Sequence, residues 1–345
     1  MTAKGANIAL ENMTRRLKRT TYPRLPPVPG FEGDTEFADQ LEIWKKWIAY
    51  EKDDPLVLKD DDPAGFKQRV LYCFKQALMA MRFVPEIWVD AAEWCFKNQV
   101  MNGNEDTGLQ FLTQGVAANP ESVVLALKHA DRIESTFART DDSDDEKRKH
   151  ADAVREPYNR LLDTLYDMGN DLKDKEQADI AEVKKLVPQA DAPRSPDGDE
   201  DENRAAAEMK SRVEAITASY TARSEVLSKT ISHVWIALAR AMRRIQGKGI
   251  PHKNNSFEGG LRQTFLDARK KGRLTSDVYV AVAQMESVVY GDVVGAKIFE
   301  RGLKLFPNDE YFVLEYLKHL HSKNDTTSKS TLESRVSSAP VAACV

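Results

Sequence analysis

The sequence predicts an all-α protein, a solenoid of helical hairpins in two blocks. Apolar and aromatic residues recur with the helical period of about 3.6 residues over most of the chain. The pattern also repeats at long range, because Trp44 and Trp88 are 44 residues apart, and so are Trp235 and Tyr279. Periods of this length indicate arrays of helical hairpins, which must stack because a lone hairpin cannot bury its apolar stripe.

The N-terminal segment and the first block are distinguished by composition. Residues 1–35 are basic and rich in proline, so we expect a flexible arm. In the first block, 36–139, helices are predicted over "FADQLEIWKKWIAYEK", "FKQRVLYCFKQALMAMRF" and "PEIWVDAAEWCFKNQ", and "DPLVLKDDDPAG" breaks the first from the second. Connections this short predict antiparallel neighbours.

A connector, 140–203, is predicted between the blocks. Most of it has helical character, but "ADAPRSPDGDEDEN" at 190–203 contains six acidic residues and no large apolar side chain. Such a segment cannot offset its ordering entropy by burial, so we expect a disordered linker. The second block, 204–320, opens with one long amphipathic helix or two in line. The tail, 321–345, does not continue the repeat and is predicted to be disordered.

Two recurring positions define the predicted core of the repeats. The first helix of a hairpin, helix A, carries aromatic and apolar residues three apart. The second, helix B, alternates bulky and small residues, so that "FLTQGVAANPES" and "IFERGLKLFPND" match in type. Small residues let the facing helix approach closely, and a proline follows where helix B ends. The predicted core residues are Trp44, Trp47, Phe74, Ala77, Trp88, Trp94, Gly115, Pro120, Trp235, Phe265, Ala268, Tyr279, Phe299, Gly302 and Pro307.

No catalytic or cofactor-binding pattern is found in the sequence. The chain lacks GxGxxG, the phosphate-binding loop motif, HExxH and GxSxG, so no enzyme activity, cofactor or metal site is expected. Cys73, Cys95 and Cys344 lie far apart, which favours a reducing compartment. No apolar run is long enough to cross a membrane. We expect a nuclear protein, with the cytoplasm as the alternative.

A basic region, 240–273, is the candidate surface for RNA or a protein partner. It contains ten lysines and arginines against two acidic residues, and local positive charge drives phosphate binding. It lacks aromatic residues that look exposed for base stacking, and basic residues also suit helix C-termini. The net charge of −4 argues against a protein that coats nucleic acid. The candidate residues are Arg243, Arg244, Lys248, Arg269, Lys270, Lys271 and Arg273.

The pattern W-x2-W-x2-Y-E at 44–51 resembles the half-a-TPR (HAT) repeat, which occurs mainly in RNA-processing scaffolds. Longer blocks, among them "LEIWKKWIAYEKDDPLVL", "HVWIALARAMRRIQGKGI" and "AKIFERGLKLFPNDEYFVLEYLKHL", are similar to the suppressor-of-forked family. This is the large HAT-repeat subunit of cleavage stimulation factor, with a fungal counterpart in cleavage factor IA. The resemblance runs from about residue 20 to 321, interrupted by 141–203.

The resemblance implies a non-enzymatic scaffold in pre-mRNA cleavage and polyadenylation. Its implied partners are other cleavage and polyadenylation factor subunits, with RNA mostly contacted through them, and a homodimer through the C-terminal HAT block. Family members carry further repeats and a Pro-rich docking segment, so this chain is expected to be a shortened member. Two alternatives stay open, a HAT-repeat splicing scaffold of the crooked-neck type and a direct RNA-binding protein that uses residues 240–273.

Overall fold

A computed structural model of the chain has two compact units. The first comprises Met1–Thr140 with Glu156–Leu161, and the second comprises Asp141–Arg155 with Leu162–Val345. The structure describes residues 3–18, 24–137, 143–186, 199–251, 257–291 and 293–323. The boundaries of the five segments that the sequence indicates stay a prediction.

The described part of the chain is almost entirely helical, as predicted. In the first unit the helices are α1 (Ala3–Thr14), α2 (Asp34–Lys52), α3 (Leu58–Asp61), α4 (Pro63–Ala80), α5 (Pro85–Lys97), α6 (Thr107–Ala118) and α7 (Val123–Thr136). A two-residue antiparallel pair, β1 (Met101–Asn102) and β2 (Glu105–Asp106), precedes α6. Helices α2 and α4 pack as one hairpin, and α5 and α6 as the next.

Polar caps and prolines set where these helices begin. The Asp62 side chain accepts a hydrogen bond from the backbone N–H of Gly65, and Pro63 occupies the first position of α4. Asp106 caps α6 and Ser122 caps α7 in the same way. These caps satisfy backbone N–H groups that a helix N-terminus leaves without a partner, one each for Asp62 and Ser122 and two for Asp106.

The N-terminal arm differs from its prediction, because residues 3–14 form helix α1. Ala6 is buried, and Leu10 and Met13 pack against the core of the first unit. The Tyr50 hydroxyl donates a hydrogen bond to the Ala6 carbonyl at 3.0 Å. Ala6, Leu10 and Met13 are spaced four and three residues apart, so they share one helix face. The basic and proline-rich composition of the arm concealed this short stripe.

A long helix, α8 (Asp144–Leu186), carries the residues at which the two units divide. The second unit further contains α9 (Asp199–Gln246), α10 (Gly260–Lys271), α11 (Ser276–Gln284), α12 (Val294–Leu305) and α13 (Glu310–Ser322), with one short antiparallel pair, β3 (Ile250–Pro251) and β4 (Phe257–Glu258). A π-helical turn, Met285–Val289, extends α11.

Helix α9 begins within the segment predicted to be disordered. Residues 199–203 form its first turn, while the rest of that segment, 190–198, lies outside the described residues. Acidic residue types are favoured in the first turn of a helix, an effect that the composition argument left out. The predicted tail also lies outside the described residues from 324 onward.

Helices α9 and α10 form an antiparallel hairpin. At one end, the backbone N–H of Gly260 donates to the Gln246 side chain at 2.8 Å. At the other end, the backbone N–H of Thr275 donates to the Ser232 hydroxyl at 2.8 Å. Helices α11 and α12 form the next hairpin, as the repeat predicts. Among the described helices, none combines the length and the apolar composition that a membrane span requires.

Candidate protein interaction surface

The aromatic side chains of the helix-A pattern lie in the interior of their units. Trp44 and Trp47 stack with ring centroids 5.2 Å apart. Trp88 packs edge-on against Phe111 of α6 at 6.4 Å. The helix-A aromatics of the predicted core are all buried, namely Trp44, Trp47, Trp88, Trp94, Trp235 and Tyr279. These side chains therefore contribute mainly to the stability of the stack.

The helix-B residues fill the space beside these aromatics, but the two prolines do not. The buried positions are Phe74, Ala77, Gly115, Phe265, Ala268, Phe299 and Gly302. Pro120 and Pro307 are exposed. Each lies in the connection after a helix B, where the pattern places it, because proline readily follows a helix end. Their assignment to the core is corrected, and they act at the connections.

The trailing glutamate of the helix-A pattern is also buried. Arg69 of α4 donates three hydrogen bonds to the two carboxylate oxygens of Glu51, at 3.0 to 3.2 Å, and Trp47 Nε1 donates a fourth at 3.2 Å. In the second unit, Arg262 binds Glu286 in a bidentate manner at 2.8 and 2.9 Å. Since a buried carboxylate is costly unless it is paired, these arginines make the pattern possible.

The predicted basic surface divides into two groups at opposite ends of α10. Arg243, Arg244 and Lys248 lie near its beginning. The remaining four, Arg269, Lys270, Lys271 and Arg273, lie at its end. The twelve residues of α10 span about 18 Å, so the groups do not form one continuous patch.

The second basic group also contacts α8. Lys271 makes an ion pair with Asp163 at 2.6 Å, and Arg273 donates a hydrogen bond to the Asn170 side chain at 3.2 Å. These side chains therefore hold α10 against α8 within the second unit. Binding of RNA by this basic set stays a prediction.

Two of the cysteines are buried, and their thiols are unreactive at neutral pH. Burial raises the pKa of the Cys73 thiol well above its ordinary value and that of Cys95 to about 12. The thiolate is the reactive form, so both residues act as small apolar side chains at neutral pH. Cys344 lies outside the described residues.

A groove between α4 and α6 was not anticipated from the sequence. Its volume is about 840 Å³. Its walls include Leu71, Lys75 and Met79 of α4, and Arg82 in the turn that follows α4. Met79 is 66% exposed, and Met101 of β1, at one end, is 56% exposed. The three α4 residues are spaced four apart and thus share one helix face. We call this feature the α4–α6 groove.

One sequence signal could have revealed the groove. Helix α4 carries a core face that includes Val70, Phe74 and Ala77. Leu71 and Met79 lie beside this face and widen the apolar stripe beyond what one core contact needs. A helix with such a wide apolar stripe has room for a second partner.

Comparison with known proteins identifies the family. A family model described as suppressor of forked protein (Suf) matches residues 1–342. The chain belongs to the suppressor of forked family. The family match thus includes both groups of hairpins, in agreement with the resemblance that the repeated blocks indicated.

Fungal relatives match almost the whole chain. The mRNA 3'-end-processing protein RNA14 of Gibberella zeae is 58% identical over 95% of this chain and 32% of its own length. The corresponding rna-14 of Neurospora crassa is 52% identical over 96% of this chain and 29% of its own. The chain therefore spans about a third of the length of these suppressor of forked relatives. A crystal structure of CstF-77 aligns with 97% of this chain and 73% of its own length at 15% identity, with a TM-score of 0.28.

Proposed function

We propose that this chain is a scaffold segment in pre-mRNA cleavage and polyadenylation. The observation that carries the proposal is its 58% identity to a relative named as an mRNA 3'-end-processing protein. The architecture supports it, because stacked hairpins provide an extended surface whose stiffness sets the spacing of bound partners. The proposed role is binding, without catalysis, and the proposed partners are other subunits of the 3'-end-processing machinery.

Three finer features belong to this proposal. The chain acts in the nucleus, RNA is contacted mostly through partner subunits, and a homodimer forms through the block 204–320. The two-group division of the basic residues supports indirect RNA contact, because neither group offers a long phosphate track. A light-scattering mass of the purified chain tests the homodimer, since a monomer mass at micromolar concentration would contradict it.

Affinity purification tests the scaffold role. The tagged chain is incubated with fungal nuclear extract, and the bound proteins are identified by mass spectrometry. Recovery of cleavage and polyadenylation factors is the expected result. Recovery of spliceosome components in their place would favour the crooked-neck alternative, and recovery of neither class would contradict the proposal. A Trp88→Ala chain serves as the control, because loss of the stacked core should remove specific capture.

A further inference from the structure

The α4–α6 groove has the dimensions of a binding site for one helix. Along α4, its wall runs from Leu71 to Met79, which corresponds to about 12 Å, and Arg82 in the turn after α4 extends the wall toward the length of three helical turns. Trp88 of α5, buried except for 6% of its surface, also lines the groove. Its volume of about 840 Å³ exceeds that of the other grooves described on either unit.

The walls favour a helix over an extended strand. Both long walls are helices, whose backbone N–H and C=O groups are already paired within α4 and α6. An extended peptide would find few main-chain partners there and would leave its own backbone unpaired. A helix satisfies its own backbone and needs only an apolar face to dock. The exposed methionines at positions 79 and 101 suit this role, because unbranched thioether side chains adapt to the residues they meet.

The charge of the groove selects the partner. Among the described residues that line it, the charged ones are Lys75 and Arg82, and both are exposed cations. Neither makes an ion pair with a described residue. Two smaller grooves of the second unit differ, because Glu300 lies among the cations of one and Glu315 among those of the other. Complementary charge steers association and excludes like-charged partners, so the α4–α6 groove favours an acidic helix.

A polar group inside the groove lacks a partner. Thr107 lines it and is 7% exposed, and its Oγ1 is buried without a hydrogen bond to any described residue. Buried hydroxyl groups normally have a hydrogen-bond partner. A polar side chain of a docked helix would provide one. An RNA strand fits less well, since two cations and no exposed aromatic side chain line the groove.

We propose that the α4–α6 groove binds an acidic amphipathic helix of a partner protein, about three turns long. The proposal rests on the scaffold function, because it names the kind of partner segment that one face of the array holds. The apolar face of that helix contacts Met79 and Met101, and its acidic residues lie beside Lys75 and Arg82.

Fluorescence anisotropy with designed peptides tests the proposal on the full chain. The probe is a labelled 15-residue peptide with leucines at helical spacing and glutamates elsewhere. In one matched peptide, lysine replaces each glutamate. In the other, proline occupies the central position. We expect the acidic helical peptide to bind at least tenfold more tightly than either. Equal binding of the three peptides, or no binding of the acidic one, would overturn the proposal.

Variants then locate the binding. Met79→Asp should weaken the acidic peptide at least tenfold, whereas Val124→Asp, at a 55% exposed position of α7, should leave its affinity unchanged. Lys75→Glu combined with Arg82→Glu should invert the preference toward the lysine peptide. A misfolded chain cannot produce this inversion. Unchanged affinity in Met79→Asp would place the peptide elsewhere and overturn the assignment.

The two proposals fail in different ways. If the wild-type chain captures 3'-end-processing factors from extract but binds no acidic peptide, the groove assignment is overturned and the scaffold function stands. If the acidic peptide binds in the groove but no processing factor is captured, the groove assignment stands and the scaffold function is contradicted.

Discussion

Glu51 in the first unit and Glu286 in the second occupy the same position of the repeated pattern, seven residues after the leading aromatic. Each carboxylate is buried and bound by one arginine, but the arginines come from different helices. Arg69 belongs to the helix B of the same hairpin as Glu51. Arg262 belongs to α10, the helix B of the hairpin before that of Glu286. The two units thus bury the same residue type and pair it differently.

The difference has a local cause in the sequence. When the helix-B segments are aligned on Phe74 and Phe299, the residue that corresponds to Arg69 is Val294. The hairpin of Glu286 therefore lacks its own arginine at this position. The carboxylate is completely buried, so a cation from the neighbouring helix is required. The same repeat position can therefore hold a buried glutamate in both units, although the arginine that pairs with it comes from the same hairpin in one unit and from a neighbouring hairpin in the other.

The largest expected effect comes from removing a buried helix-A aromatic, where the two units should behave alike. Trp88→Ala should lower the free energy of unfolding by about 3–5 kcal/mol, because the indole is almost fully buried. Tyr279→Ala should cost a similar amount, at the lower end, because its ring is smaller and packs between Phe265 and Phe306. Urea denaturation measures both.

Tyr72→Ala is the matched control, because this tyrosine is 57% exposed and its loss should change stability by about 0.5 kcal/mol or less. If Trp88→Ala were as mild as this control, the indole would not be part of a continuous core.

Loss of the arginine that binds the buried glutamate should cost more stability in the second unit than in the first. Arg262→Met should cost about 3 kcal/mol, because it leaves the fully buried Glu286 carboxylate without its cation. Arg69→Met should cost about 1 kcal/mol, because Glu51 keeps its hydrogen bond from Trp47 Nε1 and lies closer to solvent. Urea denaturation of both variants gives the comparison.

Pairing Arg262→Met with Glu286→Met provides the control. Removing both charged groups should restore most of the loss, because a buried ion pair can often be replaced by apolar residues of similar size. Equal costs for Arg262→Met and Arg69→Met would contradict the difference between the units.

These pairings show how far sequence reasoning extends. The helices and their order could be predicted, because aromatic side chains at helical spacing must share one buried face. The partner of Glu286 could not, since it depends on which neighbouring helix places a cation within hydrogen-bond distance. Helix α1 was missed because a short stripe lies in a segment of loop-like composition. The π-helical turn at 285–289 has no pattern of residue types that would have indicated it.

The candidate surfaces were less predictable than the fold. A run of basic residues in sequence suggested one patch, but an antiparallel hairpin separates residues at the two ends of α10. The α4–α6 groove depends on residues from α4, α5, β1 and α6, which only the packing of two hairpins brings together. Periodicity identifies which face of a helix is apolar, and the stacking of hairpins decides which part of that face stays uncovered.

The glycines of helix B give a smaller test of the same comparison. A Cβ at Gly302 would lie 2.4 Å from the Phe312 ring, which is fully buried and cannot move aside. At Gly115 the nearest atoms belong to Trp88, at 3.0 Å. Gly302→Ala should therefore destabilise by about 1–2 kcal/mol. Gly115→Ala should be close to neutral, because the helix propensity of alanine offsets the tighter contact by about 1 kcal/mol.

Thermal denaturation of both glycine variants makes this comparison, with Gly302→Leu as the more severe change. If Gly302→Ala raised the melting temperature, the approach of α13 to α12 would be looser than the structure shows.

The smallest expected effect is the dependence of stability on pH, which His129 tests in the first unit and His319 in the second. Burial lowers the pKa of His129, with Arg160 lowering it further and Glu156 opposing, and burial together with Lys323 lowers that of His319. A histidine whose pKa is lower in the folded state binds fewer protons there than in the unfolded state. Its contribution to stability is therefore complete above the unfolded pKa of about 6.5 and is lost as the pH falls below it.

Unfolding free energies measured between about pH 7.5 and 5.5 should decrease, by about 1 kcal/mol or less for each histidine, since both side chains are partly exposed. His129→Gln and His319→Gln should each reduce the slope. Lys323→Gln should reduce it as well, because removing this cation raises the pKa of His319 toward its ordinary value. An unchanged slope in His319→Gln together with a reduced slope in His129→Gln would assign the acid sensitivity to the first unit.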